Sequence, residues 1–251
     1  MKMMNVKSEE CFSLSGKRVL LTGAASGIGA ATAELLIAKG VRLVTADIQP
    51  IATMHQGELA MQLDLADESS CVDIVRRAAE KLSGIDGLVH CAALMCREPL
   101  DEISEISLQR QIAVNMTGPF HLCRAARPWL AASGDGCVVL FSSQGAHTGG
   151  YVGSTVYAMT KAAVIALGKS LARQWAPQGI RVNMVSPGAA DTPMLHGGTS
   201  PEALKAFLDL APLGRAGTVL EMAGCAAFLL SPAASYVTGH TLDVNGGMLM
   251  R

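Results

Sequence analysis

Apolar residues in this chain fall in short continuous runs rather than in strict alternation with polar ones. The runs are RVLLT at 18–22, VRLVTA at 41–46, ELAMQL at 58–63, IDGLVH at 85–90, GCVVLFS at 136–142, IRVNMVS at 180–186 and TLDV at 241–244. A strand that is apolar along its length is buried on both faces, the condition of a parallel sheet covered by helices. The stretches between the runs read as helical, for instance 67–82 and 155–176. Right-handed crossovers between such strands build a doubly wound sheet. The pattern therefore predicts an α/β fold, a doubly wound parallel sheet of about seven strands with helices on both faces.

No repeat, low-complexity segment or linker interrupts this alternation, so residues 14–251 read as one domain behind a loose polar leader at 1–13. The segment 189–217 departs from the pattern. It follows a strand with Pro, Gly, Thr and His before a short helix near 201–210. Excursions beyond a strand's carboxyl end are where such sheets bind ligands, so this segment is the expected lid.

Composition removes several classes of function. With 251 residues and 50% hydrophobic content, the chain can bury one large core. A net charge of −1, from 20 basic and 21 acidic residues scattered along the chain, gives no basic stripe for nucleic acid. No apolar run approaches the roughly 18 residues needed to span a bilayer, and the first residues contain no hydrophobic stretch resembling a signal peptide, so the expected setting is cytoplasmic, with no membrane partner. The seven cysteines include no C-x-x-C pair and the six histidines no H-E-x-x-H, so neither a disulfide framework nor a metal site is expected.

Candidate chemistry begins directly after the first strand with TGAASGIG, in which Gly23, Gly27 and Gly29 open the next helix. Absent side chains let the backbone turn sharply and approach a pyrophosphate, whose charge is favoured by the N–H groups of the helix start. Strand, glycine turn and helix together point to a dinucleotide-binding Rossmann fold. Ser26 and Ile28 of the turn belong to the same binding set. Asp47 ends the second strand, where a carboxylate accepts hydrogen bonds from both hydroxyls of the adenosine ribose. It would repel a 2′-phosphate, and no Arg or Lys immediately follows, so NAD is favoured over NADP. Asp64 and Leu65, in LDLAD, are candidates for the adenine, although an Asp there could also cap a helix.

Residues 157–161 read YAMTK. Four residues apart on a helix, Tyr157 and Lys161 share one face. An ammonium beside a phenol can make it an acid or base usable near neutral pH.

With Asn115 in VNMTG, the serines of LFSSQG, SPGAADTPM and a final TGHTLDVNGG, these motifs resemble the short-chain dehydrogenase/reductase family in its shorter, single-domain form, over roughly residues 14–250. The resemblance implies a catalytic set of Asn115, a serine, Tyr157 and Lys161. It also implies that Lys161 bonds the nicotinamide ribose, that Asn115 supports Lys161 through its backbone and an ordered water, and that Thr192 holds the carboxamide. Pro187 and Gly188 would let the chain pass close to the nicotinamide. A free phenol has a pKa near 10, so reaching about 7 requires roughly 4 kcal/mol, which the Lys161 cation and the positive nicotinamide ring can jointly supply. Tyr157 would then exchange a proton with the substrate oxygen while hydride moves to or from the nicotinamide.

Two departures from the family pattern matter. The serine usually stands thirteen residues before the tyrosine, where this chain has Gln144. Ser143 is the chosen candidate, with Ser142 or Gln144 as alternatives. The family's Asn-Asn-Ala-Gly is here His90, Cys91, Ala92 and Ala93, with Ala92 retained against the cofactor.

His147, Tyr151, Met95, Met194, Leu195 and Phe207 are expected around the substrate, in a mostly apolar pocket with a polar rim. These readings predict an NAD-dependent dehydrogenase of a small secondary alcohol, such as a polyol, sugar or cyclic alcohol. A 3-oxoacyl thioester reductase using NADPH and a catalytically silent NAD sensor are the rival readings. Small residues Ala158, Ala162, Ala163, Ala166 and Gly168 on the 155–176 helix, with the neighbouring helix near 113–132, fit the tetramer that the resemblance implies, or a close contact within the chain.

Overall fold

The computed structural model describes residues 10–51, 59–150, 153–197 and 200–251. Its strands are β1 (Arg18–Thr22), β2 (Arg42–Asp47), β3 (Leu59–Gln62), β4 (Gly87–His90), β5 (Cys137–Phe141), β6 (Arg181–Pro187) and β7 (Thr241–Val244). All pair in parallel, in the order β3-β2-β1-β4-β5-β6-β7. The chain builds outward from β1 to β3, then returns to the other side of β1 with β4. That reversal opens a crevice at the carboxyl ends of β1 and β4, the place where doubly wound sheets take their ligands.

The helices are α1 (Gly27–Ala38), α2 (Glu68–Leu82), α3 (Glu105–Ile112), α4 (Gly118–Ser133), α5 (Gly145–Thr148), α6 (Thr155–Trp175), α7 (Pro193–His196), α8 (Pro201–Leu208) and α9 (Val219–Leu230). Strand residues alternate between the two faces of the sheet. Leu20, Val44, Leu88 and Val138 pack with buried residues of α2, α4 and α6. Val19, Leu21, Leu43, Val89 and Val139 pack on the other side with α1 and α9. Both faces are thus dry, as the continuous apolar runs require.

Several boundaries differ from the sequence reading for identifiable reasons. Asp67 caps α2 rather than joining it, its carboxylate accepting from the Ser69 N–H at 2.9 Å. Asp86 precedes β4 and carries the bidentate partner of Arg18. The helix expected near 113–132 is the second part of a longer element: α3 runs through a π-helical turn, Ala113–Thr117, into α4. Within α6, Ala158 and Gly168 are buried inside the chain, and a Cβ on Gly168 would lie 2.1 Å from the Met184 sulfur of β6. Those two small residues serve an intrachain contact, whereas Ala166 is exposed. Among the described residues, no helix is long and apolar enough to cross a membrane.

Candidate active site

The glycine turn is shaped by contacts within the protein as much as by any ligand. Gly23 follows β1 at φ +81°, and a Cβ there would lie 2.3 Å from the backbone nitrogen of Ala92. A Cβ on Gly29 would lie 1.8 Å from the Gly23 carbonyl oxygen. Side chains at either position would push apart β1, α1 and the segment after β4. Gly27, at φ +55°, faces the Thr192 methyl across the groove. Ser26 precedes α1 without capping it, and the first turn of α1 has no acidic residue, so the helix start is free to attract an anion.

At the end of β2, Asp47 accepts from the Ala25 N–H and from the Gln49 N–H, both at 3.0 Å. The carboxylate therefore ties the glycine turn to its own strand, and each oxygen keeps a further lone pair for a ligand hydroxyl. Asp64 follows β3. It does not cap α2. It accepts from the Ala66 N–H at 2.9 Å and pairs with Arg110 at 3.3 Å. Leu65 is buried beside it.

Tyr157 and Lys161 lie one turn apart on α6, and the ammonium stands 5.6 Å from the phenol ring centroid. Lys161 is 2% exposed. Its Nζ donates to the Phe141 carbonyl at the end of β5 at 2.7 Å, and no carboxylate pairs with it among the described residues. Burial without a counter-ion pushes its pKa down to about 8. Tyr157 is pushed the other way, up to about 12, by burial. Ser143 and the Arg97 charge oppose that rise. In the free protein, burial outweighs the groups that would lower the phenol pKa.

The two serines separate cleanly. Ser142 is buried and its hydroxyl donates to the Lys161 backbone carbonyl at 2.8 Å. Ser143 is half-buried, accepts from the Gly145 N–H at 3.1 Å, and lies close enough to the phenol to favour its ionised form. Asn115 sits buried in the π-helical turn, with bonds that reach across the fold. Its Oδ1 accepts from the Leu94 N–H and its Nδ2 donates to the Leu94 carbonyl, each at 2.7 Å. Nδ2 also meets the Thr160 hydroxyl at 3.1 Å, and that hydroxyl donates to the Tyr157 carbonyl. Asn115 thereby fastens the segment after β4 to the helix carrying Tyr157.

Apart from Asn115 and Thr160, which lie behind its wall, these groups face one cavity of about 1010 Å³. Gly23, Ser26, Gly27, Ile28, Gly29, Asp47, Asp64 and Leu65 line one end; Ala92, Ser143, Tyr157, Lys161, Pro187, Gly188 and Thr192 line the remainder. A glycine cradle at a helix start, a strand-end carboxylate and an elongated space fit a dinucleotide.

A family model described as enoyl-(acyl carrier protein) reductase matches residues 23–249. An uncharacterized short-chain type dehydrogenase/reductase of Sinorhizobium fredii is 34% identical, the match covering 94% of this chain and 99% of that protein. This chain belongs to the short-chain dehydrogenase/reductase family. Two further family relatives are named for their activities. Cis-4-hydroxycyclohexanecarboxylate dehydrogenase of Sinomonas cyclohexanicum is 37% identical, over 91% of this chain and 94% of that one. The 3-oxoacyl-[acyl-carrier-protein] reductase of Vibrio cholerae is 35% identical, over 95% and 99%. As a short-chain dehydrogenase/reductase, the protein is an oxidoreductase of the CH–OH/C=O class working with a nicotinamide cofactor on small molecules.

Within that family frame, some details depart from the sequence reading. Met95, Met194, Leu195 and Phe207 line the cavity, but His147 does not. It is exposed, and the charges acting on it belong to Arg251, Asp243 and Lys169. Tyr151 lies outside the described residues. His90 is buried, shares a 2.7 Å hydrogen bond with the Thr22 hydroxyl, and is pushed down to about 3 by burial and the Lys161 charge, so it stays neutral. Thr192 caps α7, accepting from the Leu195 N–H at 3.3 Å and donating to the Ala190 carbonyl at 3.2 Å.

Among the lining residues that sequence reasoning missed are Arg97 and Arg110, while Gln144, an alternative for the serine role, lines the cavity with a buried Oε1 that has no hydrogen-bond partner among the described residues. A basic residue in the segment after β4 was a legible signal for Arg97, because that segment leaves the carboxyl edge of the sheet beside the crevice.

Proposed function

We propose that this enzyme oxidises a small secondary alcohol with NAD as hydride acceptor, a ring-bearing alcohol being the favoured class, and that Asn115, Ser143, Tyr157 and Lys161 carry the chemistry. The observation behind this reading is the shared cavity, which runs without interruption from the glycine turn and Asp47 to Ser143, Tyr157 and Lys161. Gly23, Ser26, Gly27, Ile28 and Gly29 would hold the pyrophosphate, Asp47 the adenosine ribose, and Asp64 and Leu65 the adenine. Ala92, Lys161, Pro187, Gly188 and Thr192 would hold the nicotinamide half, with Tyr157 beside it. Bound there, the dinucleotide supplies a hydride acceptor and, when oxidised, a positive ring.

Tyr157 takes the proton from the alcohol oxygen as the carbinol carbon gives up its hydride. Ser143 holds that oxygen through its hydroxyl, and Lys161 keeps a positive charge near the phenolate. Asn115 acts as a positioning residue, fixing Leu94 and Thr160 on either side of the site. The 189–217 segment is the proposed lid: the Ala190–Gly217 bridge joins its two ends, so the intervening residues form one excursion over the cavity. A cyclic substrate is supported by the relative named for a hydroxylated cyclohexane ring. A homotetramer belongs to the same reading, supported by the exposed Met116, Phe120, Trp129 and Met159 on or beside α4 and α6.

The test is reduced-nicotinamide absorbance with a panel of cyclic, polyol and sugar alcohols and each dinucleotide. NAD-dependent turnover of a cyclic alcohol is expected. Turnover only of a 3-oxoacyl thioester with NADPH, or tight NAD binding with no turnover, would contradict the reading. The same assay gives a prediction for Asp47→Ala: the ratio of kcat/KM for NAD over NADP should fall about tenfold or more, a loss of about 1.4 kcal/mol in discrimination. Removing the carboxylate takes away both the ribose acceptor and the charge that repels a 2′-phosphate.

A further inference from the structure

Five charged side chains line the cavity: Asp47, Asp64, Arg97, Arg110 and Lys161. Asp47, Asp64 and Arg110 lie at the end formed by β2 and β3, where Arg110 is already paired with Asp64. Lys161 is buried beneath Tyr157. Arg97 stands apart. Its Nε donates to the Gly197 carbonyl at 3.1 Å and its Nη2 to the Met194 carbonyl at 3.4 Å, which places it at the end closed by α7. No carboxylate pairs with it among the described residues. Met95, Pro99, Met194, Leu195 and Phe207 line the same cavity and make much of it apolar, with Ser154 and Ser200 as polar members.

Resting on the dehydrogenase reading above, we propose that Arg97 is the anion-binding residue for the substrate, and that the alcohol oxidised is a hydroxy acid: an apolar body carrying one carboxylate.

A guanidinium has five N–H donors. Two of those on Arg97 hold backbone carbonyls, which leaves both hydrogens of Nη1 and one of Nη2 for a ligand. That is the complement of a single carboxylate, and charge-assisted hydrogen bonds of this kind are the strong ones. A phosphate dianion would require a second cation, and the α7 end of the cavity provides none. Arg97 and Tyr157 line the same cavity, so one ligand can meet both. Partial burial strengthens the pairing over what an exposed arginine would give.

Arg97 also clamps the segment at Met194–Gly197, and a purely structural role would weaken binding of charged and neutral ligands alike. The test therefore reads a ratio. Full-length wild type, Arg97→Gln and Arg97→Lys are titrated calorimetrically with cyclohexanecarboxylate and with the neutral cyclohexanecarboxamide, each with and without NAD. Wild type should bind the carboxylate about tenfold or more tightly than the amide. Arg97→Gln should bring the two within about twofold, and Arg97→Lys, which keeps the charge but loses the planar fork, should retain only part of the preference. In turnover, kcat/KM for 4-hydroxycyclohexanecarboxylate over its methyl ester should fall in Arg97→Gln by the same factor. Equal affinity of wild type for acid and amide, or a preference that survives in Arg97→Gln, would overturn the proposal. Because the binding ratio needs no turnover, a failed alcohol screen would count against the dehydrogenase reading and leave this test standing.

Discussion

Replacing Tyr157 by Phe should lower kcat for alcohol oxidation by about 10²- to 10⁴-fold, the range that positioned acid–base groups contribute. Dinucleotide affinity should change by less than about twofold. The phenol lines the cavity with Ser143 beside it and the Lys161 ammonium 5.6 Å from its ring. The glycine turn and Asp47 are bound to β1, β2 and the segment after β4, and no contact of theirs involves the phenol. Fluorescence titration with NAD and steady-state kinetics separate the two effects. Turnover close to that of wild type would remove Tyr157 from the proton-exchange role.

Lys161→Met should move stability and activity in opposite directions. In the protein free of dinucleotide, Lys161 is a buried cation held by one carbonyl and no carboxylate, with a pKa lowered from 10.5 to about 8. Its folded pKa lies below its unfolded one, so between about pH 8 and 10.5 the unfolded chain binds more protons than the folded chain. Stability of the wild type therefore rises with pH across that window. Below pH 8 the full cost of the buried charge is present, about 3 kcal/mol for the shift, against about 1 kcal/mol for the lost hydrogen bond to Phe141. The variant should accordingly be more stable at pH 7 by about 2 kcal/mol, with the gap shrinking as pH approaches 10.5. Its turnover should drop by about 10²-fold or more, with weaker dinucleotide binding. Urea denaturation at pH 7 and pH 10, alongside kinetics, gives both readings. A variant less stable than wild type at pH 7 would assign the lysine to structure.

The sheet was legible because burial on both faces leaves no room for polar alternation. RVLLT and GCVVLFS read as interior strands from their letters alone, and the glycine turn announced the crevice beside them. Tyr157 and Lys161 were legible because helical spacing is local. What escaped was decided by contacts distant in sequence. The role of Asn115 depends on Leu94 and Thr160, brought to it by the π-helical turn between α3 and α4, and α3 itself is a half-polar segment without a strong periodic signal. His147 faces away from the cavity because the short helix α5 turns it outward, which a loop-level reading does not resolve. The direction of the Tyr157 shift depends on how fully the protein surrounds the phenol, which does not follow from a spacing of four.

Ionisation of Tyr157 therefore needs more than its helical neighbour. The protein alone raises the phenol pKa, so activation must arrive with the positive nicotinamide ring and act together with Lys161. Ultraviolet difference titration of wild type against Tyr157→Phe isolates this one phenol from the other tyrosines. Without dinucleotide, Tyr157 should remain un-ionised up to about pH 11, and saturating NAD should bring its ionisation down toward about pH 7. A phenol that already ionises near neutrality in the free protein, or that stays above pH 10 with NAD bound, would contradict this mechanism.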